Sequence, residues 1–263
     1  LDFLKLSRDS VAIEKNGSIV EKKIWHNEGL NSSDSIEIIK FVGGGWFFRL
    51  VDFPDSVGLY PILDYDYCKI HSISPEFLLD LWNSHKNYIS FIQFRGKSLS
   101  ESEYRKEYSN LRNKSPKLEI VVNDFWELAI RESAFGFHVG KEDFKSLSDK
   151  EKEALLSSSQ MKGTSSHSES DLRDLANWRW DYSGIGPIFP TNTKQTDRKI
   201  LGLDFLKSVV SAKIPLCPIG GISEDNLESV FGIGNFFPAS ISAFSDEIRF
   251  LKCIGVIKKY CPL

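Results

Sequence analysis

The sequence predicts an α/β fold, a (β/α)8 TIM barrel that follows a small β-rich N-terminal segment. From Leu59 onward, short apolar stretches alternate with stretches of helical character eight times in about 200 residues. Polar side chains gather directly after the apolar stretches, where a barrel places functional groups. The first 57 residues lack this alternation and carry hairpin signals instead.

The N-terminal segment is predicted to contain three strands. The run Val11–Val20 indicates a β-hairpin that turns at Asn16 and Gly17, a strong two-residue turn signal. A third strand is predicted at Ser35–Val42, and it leads into three consecutive glycines at residues 43–45. This part of the chain is therefore expected to be a small sheet.

The barrel prediction rests on strand and helix candidates joined by mostly short connections. The strands are predicted at Leu59–Asp64, Ile89–Arg95, Leu118–Asn123, Gly136–Val139, Met161–Thr164, Tyr182–Gly186, Leu216–Ile219 and Phe236–Ser240. The helices are predicted at Pro75–Ser84, Ser100–Leu111, Phe125–Glu132, Asp149–Ser158, Glu169–Trp178, Leu203–Ala212, Glu224–Phe231 and Ser245–Lys258. Ser148 and Ser223 are good N-caps for two of these helices. Because a count of units does not prove closure, a doubly wound open sheet is the alternative.

The composition is that of an ordinary globular protein, with 41% hydrophobic and 26% charged residues. A net charge of -3 gives no general attraction to nucleic acid, and no apolar run approaches the roughly 20 residues that span a bilayer. Neither nucleic acid nor a membrane is therefore an expected partner. With no signal-peptide pattern and no Cys-x-x-Cys pair, we expect a cytoplasmic protein with reduced, buried thiols. The sequence does not indicate an oligomeric state.

Polar residues follow the predicted strands in an order that favours a single site. The groups are Gln93, Arg95 and Lys97 after the second strand, Asn123 and Asp124 after the third, Gly140–Asp143 after the fourth, Ser165 and His167 after the fifth, Thr191–Lys194 after the sixth, Gly220 and Gly221 after the seventh, and Ser242 after the eighth. Since the carboxyl ends of barrel strands meet at one rim, these side chains are expected to surround one active site.

The loop after the sixth strand is suited to an anion. Thr191, Asn192, Thr193 and Lys194 offer two hydroxyls, an amide and a lysine within four residues. Hydroxyls donate hydrogen bonds to an anion, and a lysine adds a mobile positive charge. A solvated turn is the alternative for this loop.

Two aspartates follow adjacent predicted strands and could hold a metal ion. Asp124 and Asp143 can converge on one hard cation, and Mg²⁺ prefers a few carboxylates with water and phosphate oxygens around it. Each aspartate also precedes a helix, so helix capping is the alternative. Arg95, Lys97 and Lys194 nearby favour a site for Mg²⁺ and pyrophosphate.

Seven motifs between Leu59 and Pro262 resemble, in order, those of the thiamine phosphate synthases. They are Gln93–Lys97, Val122–Ala129, Gly136–Asp143, Gly163–His167, Gly186–Lys194, Ile219–Ile222 and Ser240–Ala243. The resemblance implies a Mg²⁺-dependent transferase of thiamine biosynthesis. Its substrates would be hydroxymethylpyrimidine diphosphate and thiazole phosphate, which are joined with release of pyrophosphate.

The resemblance also implies a role for each residue at the rim. Lys97, Lys194 and Arg95 are the catalytic candidates. The pyrimidine diphosphate would be bound by Gln93, Arg95, Lys97, Asn123, Ser165 and Lys194. The thiazole phosphate would be bound by Thr191, Asn192, Thr193, Gly220, Gly221, Ile241 and Ser242. Asp124 and Asp143 would hold Mg²⁺. Catalysis would neutralise the leaving group and position two rings, without a covalent enzyme intermediate.

Residues 1–45 resemble the small ubiquitin-like sulfur carrier of thiazole synthesis. The resemblance rests on the turn at Asn16, on Trp25, on the run Ser33–Ser35 and on the glycine tail. It implies a partial ubiquitin-like segment, a linker at residues 46–57 and a barrel at residues 58–263. Because Gly45 continues into further residues, the intact chain cannot carry sulfur at that glycine, and only cleavage there would restore it.

Several positions depart from the synthase pattern. Gly96 stands where glutamate is usual, and Lys141 stands where glutamine is usual and adds charge beside Asp143. Three prolines, Pro61, Pro218 and Pro238, fall inside predicted strands, where each removes a donor from the ladder. The motif Phe236-Phe237-Pro238 stands where relatives carry small residues.

The sequence leaves two other functions open. The first is a barrel without catalysis, kept for ligand sensing or as a scaffold for the N-terminal segment. The second is a thiazole tautomerase, since that related barrel family uses a rim histidine and His167 is a candidate. The tautomerases lack the aspartate pair and the threonine–lysine loop present here, which favours the synthase.

Overall fold

The computed structural model describes residues 11–20, 25, 29–31, 34–40, 58–175, 178–193, 198–212 and 214–261. The chain divides into two compact units, Leu1–Arg49 and Leu50–Leu263. The predicted boundaries after residues 45 and 57 involve positions that the structure does not describe, so they stay predictions.

The first unit contains a three-stranded antiparallel sheet in its described residues. The strands are β1 (Val11–Lys15), β2 (Ser18–Val20) and β3 (Ile36–Lys40), in the order β2-β1-β3. The hairpin turns at Asn16 and Gly17, whose φ angles of 51° and 80° are those that a tight hairpin turn requires. The Asn16 amide donates to Asp34 over 2.8 Å and its oxygen accepts from the Ser35 N–H over 2.9 Å. The predicted hairpin and third strand are confirmed.

The second unit is a parallel barrel. Its described strands are β4 (Tyr60–Asp64), β5 (Ile92–Arg95), β6 (Ile120–Asn123), β7 (Gly136–His138), β8 (Met161–Ser166), β9 (Tyr182–Ile185), β10 (Leu216–Pro218) and β11 (Ala239–Ser240). They form one sheet of eight strands in the order β10-β9-β8-β7-β6-β5-β4-β11. A parallel bridge between Ile219 and Ala239 joins the two ends of this order. The predicted barrel is confirmed, and the open sheet is excluded.

Helices cover the outside of the barrel. Those in the described residues are α1 (Tyr65–Ile70), α2 (Pro75–Ser84), α3 (Glu101–Lys114), α4 (Trp126–Arg131), α5 (Lys141–Ser146), α6 (Asp149–Ser157), α7 (Glu169–Leu175), α8 (Gly202–Ser208), α9 (Leu227–Phe231) and α10 (Glu247–Ile257). The short helices α1 and α5 were not predicted. Ser148 caps α6 as expected. Ser223 does not cap α9, because that helix begins only at Leu227 and its N-cap position is Asn226.

The barrel closes although its strands contain prolines. Pro61 lies in β4 and Pro218 in β10, each in register with a neighbouring strand. Pro238 directly precedes β11, and its carbonyl accepts the Tyr60 N–H over 2.9 Å. Pairing beside this proline is therefore made through its carbonyl, which does not require the missing donor.

Apolar packing occupies both faces of the sheet. The larger core lies between strands and helices and includes Leu63, Trp82, Phe94 and Phe250, each at most 1% exposed. A smaller cluster fills the barrel interior with Tyr60, Ile62, Phe91, Val121, Met161, Tyr182, Cys217, Phe237 and Ala239. All four cysteines are buried and free. None of the helices in the described part of the chain has the length and apolar character needed to cross a membrane.

Candidate active site

The carboxyl ends of the barrel strands surround a cavity of about 310 Å³. Its lining includes Asp64, Asp66, Gln93, Arg95, Lys97, Asn123, Asp124, His138, Asp143, Ser165, Thr193 and Ile241. We call it the charged cavity, after the opposed charges of Asp64, Arg95, Lys97, Asp124 and Asp143. It brings together residues from loops that are far apart in the sequence.

Arg95 is fixed by a carboxylate that the sequence analysis missed. Its guanidinium forms an ion pair with Asp64, whose side chain is only 5% exposed. Asp64 ends β4, and its second oxygen accepts the Tyr67 N–H over 2.9 Å as the N-cap of α1. Because Asp64 is held on both sides, the planar Arg95 group has a defined orientation in the cavity wall.

Lys97 has a fixed backbone and a more accessible ammonium group. Asp66 accepts the N–H groups of Lys97 and Ser98 over 2.9 and 3.2 Å. The Lys97 ammonium pairs with Asp124, and its side chain is 49% exposed. The turn is also tightly packed, since a Cβ at Gly96 would lie 2.7 Å from a methyl carbon of Leu99. The backbone of the loop is therefore held by Asp66, while the Lys97 side chain is accessible from the cavity and from solvent.

Asp124 and Asp143 both line the charged cavity, and neither caps a helix. The N-caps of α4 and α5 are Phe125 and Gly140, so the capping alternative is not what the structure shows. Asp124 has a φ angle of 65°, which is uncommon for a residue other than glycine and costs on the order of 1 kcal/mol or more. Strained backbone of this kind is often found at functional sites.

The two predicted amides are buried at the floor of this cavity. Gln93 is 4% and Asn123 is 6% exposed. Gln93 donates to the hydroxyl of Tyr60. The N–H of Asn123 donates to the hydroxyl of Tyr104 over 3.0 Å. Burial raises the pKa of Tyr104, so this hydroxyl keeps its proton and donates it to a backbone carbonyl.

A second cavity of about 290 Å³ adjoins the first. It is lined by Ser165, His167, Gly186, Pro187, Thr191, Thr193, Arg198, Ile219, Gly220, Ala239, Ser240, Ile241 and Ser242. We call it the hydroxyl cavity, after Thr191, Thr193, Ser240 and Ser242. Ser165, Thr193, Ile219, Ala239 and Ile241 line both cavities, so the two share a wall.

Hydroxyl groups from different loops meet in the hydroxyl cavity. The Thr193 hydroxyl lies 3.4 Å from that of Ser242, and the Thr193 N–H donates to the Thr191 hydroxyl over 3.3 Å. Asn192 is exposed and lines neither cavity. Lys194 is outside the described residues, so its predicted role stays a prediction.

Gly220 and Gly221 allow the loop after β9 to approach closely. Their φ angles are 90° and 66°. A Cβ would lie 2.6 Å from the Cβ of Pro187 at the first position and 2.4 Å from the carbonyl oxygen of Pro190 at the second. Both glycines are thus required by conformation and by space. Gly220 also lines the hydroxyl cavity, whereas Gly221 supports the loop beside it.

His167 and Arg198 add a basic side to the hydroxyl cavity. The His167 ring contacts the Gly186 carbonyl through Nδ1 over 2.8 Å and the Arg198 guanidinium through Nε2. Burial lowers the pKa of His167, and the neighbouring Arg198 charge lowers it further against the effect of the Gly186 carbonyl. Arg198 was not a predicted site residue, since it lies beyond the motif of its loop.

The sequence analysis predicts that Lys141 adds charge beside Asp143, but the structure shows a different partner. Its ammonium pairs instead with Asp171, whose side chain is 8% exposed. Asp171 also accepts the His167 N–H over 2.7 Å. The extra positive charge therefore joins α5 to α7, whose Asp171 also binds the backbone just after β8.

A closed parallel barrel with two polar cavities at its strand ends defines the class of (β/α)8 barrel enzymes. The chain belongs to the thiamine monophosphate synthase family, whose model matches residues 59–244. The model of the ThiS family matches residues 1–45. Both predicted resemblances are confirmed, and the chain is a member of a family of transferases in thiamine biosynthesis.

Individual relatives agree with the family match. The thiamine-phosphate synthase of Serratia proteamaculans is 29% identical over 196 residues, which cover 73% of this chain and 85% of that protein. The thiamine-phosphate synthase of Prochlorococcus marinus is 28% identical over 170 residues, 64% of this chain and 48% of that protein. The chain therefore spans about half the length of the latter relative.

A solved structure supports the fold. The thiamine phosphate pyrophosphorylase of Pyrococcus furiosus superposes with a TM-score of 0.64 at 23% identity. The match covers 78% of this chain and 96% of that one. At this identity the similarity concerns the barrel architecture.

Proposed function

We propose that this chain is a thiamine phosphate synthase that joins hydroxymethylpyrimidine diphosphate to thiazole phosphate and releases pyrophosphate. Family membership over residues 59–244 is the observation that carries the proposal. The two adjoining cavities support it, because the reaction needs one site for a diphosphate and another for a monophosphate.

The charged cavity suits a diphosphate with Mg²⁺. Asp124 and Asp143 offer hard oxygen donors, which fits the preference of Mg²⁺ for a few carboxylates with phosphate and water oxygens. In the part of the chain that is described, no three His, Cys, Asp or Glu side chains come together as a metal cluster. The remaining positions would therefore belong to substrate and water. A bound Mg²⁺ would neutralise charge on the diphosphate.

The ion pair between Lys97 and Asp124 fits this arrangement. In the free protein the two side chains neutralise each other at the cavity wall. If Asp124 held the cation, the Lys97 ammonium would be available to a phosphate oxygen. Because the Lys97 side chain is half exposed, breaking its ion pair with Asp124 costs little free energy. Surface ion pairs contribute only about 0–1 kcal/mol.

Departure of pyrophosphate would be helped by fixed positive charge. Arg95 and Lys97 line the cavity in which the leaving group would develop charge. Groups already oriented toward that charge stabilise the transition state without reorganisation. We assign Lys194 the same task, on the basis of its motif. Gln93, Asn123 and Ser165 would orient the pyrimidine ring.

The hydroxyl cavity suits the thiazole phosphate. Thr191, Thr193 and Ser242 can donate hydrogen bonds, and Gly220 leaves room for a phosphate to approach the backbone. Ile241 lies in the shared wall, beside which the thiazole nitrogen would reach the pyrimidine methylene group. Binding both rings across one wall would supply the proximity that the reaction needs.

The environment of His167 argues against the tautomerase alternative. A tautomerase needs a histidine that takes up and returns a proton. Here burial lowers the pKa of His167, and both ring nitrogens already contact neighbouring groups. Such a ring is a poor base.

The direct experiment mixes the full chain with hydroxymethylpyrimidine diphosphate, thiazole phosphate and Mg²⁺. We expect pyrophosphate and thiamine phosphate to form in equal amounts. A double variant, Asp124→Asn with Asp143→Asn, is the negative control, since it keeps the size of both side chains. If the wild-type protein binds both substrates without forming either product, the sensor or scaffold function is correct instead.

A further inference from the structure

Asp66 is a carboxylate of the charged cavity that binds the backbone of a neighbouring loop. It is the second residue of α1, which begins directly after β4. One of its oxygens accepts the N–H groups of Lys97 and Ser98 over 2.9 and 3.2 Å, and the other accepts the Ser98 hydroxyl. Three hydrogen bonds therefore join the start of α1 to the loop after β5.

The register of two neighbouring strands brings these groups together. β4 and β5 are parallel, and Asp64 lies opposite Arg95 at their carboxyl ends. Asp66 and Lys97 each lie two positions further along the chain, so they leave the sheet side by side. The contact therefore follows from the way in which the barrel pairs its strands.

Gly96 allows the loop after β5 to lie close to α1. This glycine is buried, and an added Cβ would lie 3.5 Å from the Cβ of Tyr65, the first residue of α1. The same Cβ would lie 2.7 Å from a methyl carbon of Leu99. The absence of a side chain at Gly96 thus brings the Lys97 backbone within reach of Asp66.

The position of the Lys97 ammonium depends on where its backbone is held. A lysine side chain is a flexible stem of four carbons, and that of Lys97 is 49% exposed. In the free protein its ammonium pairs with Asp124 in the wall of the charged cavity. The hydrogen bonds from Asp66 fix the backbone from which this stem starts, while the ammonium itself stays accessible to a ligand.

The charge of Asp66 acts in the opposite direction to its hydrogen bonds. A carboxylate in the cavity wall repels an anion, so loss of the charge alone should strengthen anion binding. Loss of the hydrogen bonds should weaken anion binding, because Lys97 would no longer be held in place. Since the two effects differ in sign, a binding measurement separates them.

We propose that Asp66 is a positioning residue, which holds the backbone of Lys97 so that the lysine ammonium meets an anion in the charged cavity. The inference rests on the proposed function, because that anion is the diphosphate group which the reaction releases as pyrophosphate. Asp66 acts through Lys97 and is not itself a ligand of the diphosphate.

The test measures binding of inorganic pyrophosphate with Mg²⁺ to the full chain by titration calorimetry. Asp66→Ala removes the charge and all three hydrogen bonds, whereas Asp66→Asn removes the charge but keeps an oxygen that accepts the N–H groups. We expect Asp66→Ala to bind pyrophosphate about 5-fold more weakly than wild type, a size typical of coupled neighbours. Asp66→Asn should bind at least as tightly as wild type.

A double-mutant cycle shows whether Asp66 acts through Lys97. Lys97→Gln should weaken pyrophosphate binding about 10-fold, because a charge-assisted contact is lost. Adding Asp66→Ala to this variant should not weaken binding further, since no ammonium is left to position. A carboxylate that only stabilised the fold would weaken binding equally with and without the Lys97 ammonium.

Asp149→Ala is the matched control. Asp149 also lies in the first turn of a helix, α6, and it lines neither cavity. This variant should bind pyrophosphate as wild type does. If Asp66→Ala does not fold, as judged by circular dichroism, Ser98→Ala removes one of the three hydrogen bonds and leaves the Asp66 charge in place. It should weaken binding about twofold, and only when Lys97 is present.

Four results would overturn the positioning role. They are undiminished binding in Asp66→Ala, equal weakening in Asp66→Ala and Asp66→Asn, further weakening by Asp66→Ala in the Lys97→Gln background, and a wild-type protein that binds no pyrophosphate. The synthase assay is a separate readout. Product formation without the expected cycle would refute the positioning role alone, whereas the expected cycle without product would refute the synthase activity and leave the positioning role in place.

Discussion

The charged cavity and the hydroxyl cavity share a wall but are built in different ways. The charged cavity depends on side chains that neutralise one another, Arg95 with Asp64 and Lys97 with Asp124. The hydroxyl cavity depends on short side chains and on a backbone shaped by Gly220 and Gly221. Charged side chains can change partners when a ligand binds. The backbone of the hydroxyl cavity, in contrast, already has its shape before binding. Mutations should therefore affect them differently.

The largest effect is expected at the aspartates of the charged cavity. Asp124→Asn should lower kcat by roughly 10²–10³-fold, the size expected when one transition-state contact is lost. The asparagine is chosen because it tolerates the positive φ angle of this position. Asp143→Asn should behave alike, and in both variants rate should no longer respond to added Mg²⁺.

Binding of thiazole phosphate is the decisive readout for these variants. It should stay within about twofold of wild type, as it should in the exposed control Asp204→Asn. Equal loss of both ligands from a folded variant would show that the two cavities are one site.

A smaller effect is expected when Lys97 loses its charge. Lys97→Gln removes one charge-assisted contact, worth about 1.5–3 kcal/mol, which corresponds to roughly 10- to 150-fold in kcat/KM. The loss should appear in turnover, and the melting temperature should not fall, because the Asp124 pair is half exposed. Lys207→Gln, at an exposed ion pair, is the control. A drop of several degrees with normal kinetics would make Lys97 structural.

The same expectation applies to Lys194, which lies in a part of its loop that the structure does not describe. Lys194→Ala should cost about 1.5–3 kcal/mol in kcat/KM without lowering the melting temperature. Lys194→Arg should restore little, because a planar fork does not reproduce a compact ammonium group. Kinetics and thermal unfolding of both variants test this, and full rescue by arginine would contradict it.

The variant Gly221→Ala tests whether the loop backbone shapes the hydroxyl cavity. The new Cβ would lie 2.4 Å from the Pro190 carbonyl oxygen at a φ angle of 66°, so the loop must shift. We expect KM for thiazole phosphate to rise about 10-fold and the melting temperature to fall by several degrees. Gly255→Ala is the control, since its Cβ would meet no atom within 4 Å. An unchanged KM would show that this loop does not shape the cavity.

The smallest effect is expected for a single hydroxyl. Ser242→Ala removes one neutral hydrogen bond, worth about 0.5–1.5 kcal/mol, so KM for thiazole phosphate should rise about 2- to 10-fold. KM for the pyrimidine diphosphate should not change. If it rises instead, Ser242 contributes to binding in the charged cavity, and the two cavities do not act as separate sites.

Much of the fold could be predicted because its signals are local. Each barrel strand is a short apolar run, and the pair Asn16 and Gly17 predicts the hairpin turn. Helices α1 and α5 were missed because each has only six residues, which is too short for a helical period of apolar residues to be recognised. Ser223 was misjudged because residues 224–226 form a turn, so that α9 begins three residues later than the sequence predicts.

Arg95 and Lys97, which line the charged cavity, could be anticipated from the sequence, but the carboxylates that orient them could not. Asp64 and Asp66 are ordinary carboxylates in sequence, and only the adjacency of β4 and β5 brings them to Arg95 and Lys97. The departure at Lys141 was misread because its partner, Asp171, lies 30 positions away.

The sequence by itself determined the elements of the barrel, their order and the chemical types at the rim, since these follow from the periodicity of each segment and from the groups that end it. Only the tertiary structure decided that the rim holds two cavities with a common wall. It also decided that Asp66, at the start of α1, holds the backbone of Lys97. The reason is physical, because closing eight strands into a ring sets distances between side chains that no stretch of sequence encodes.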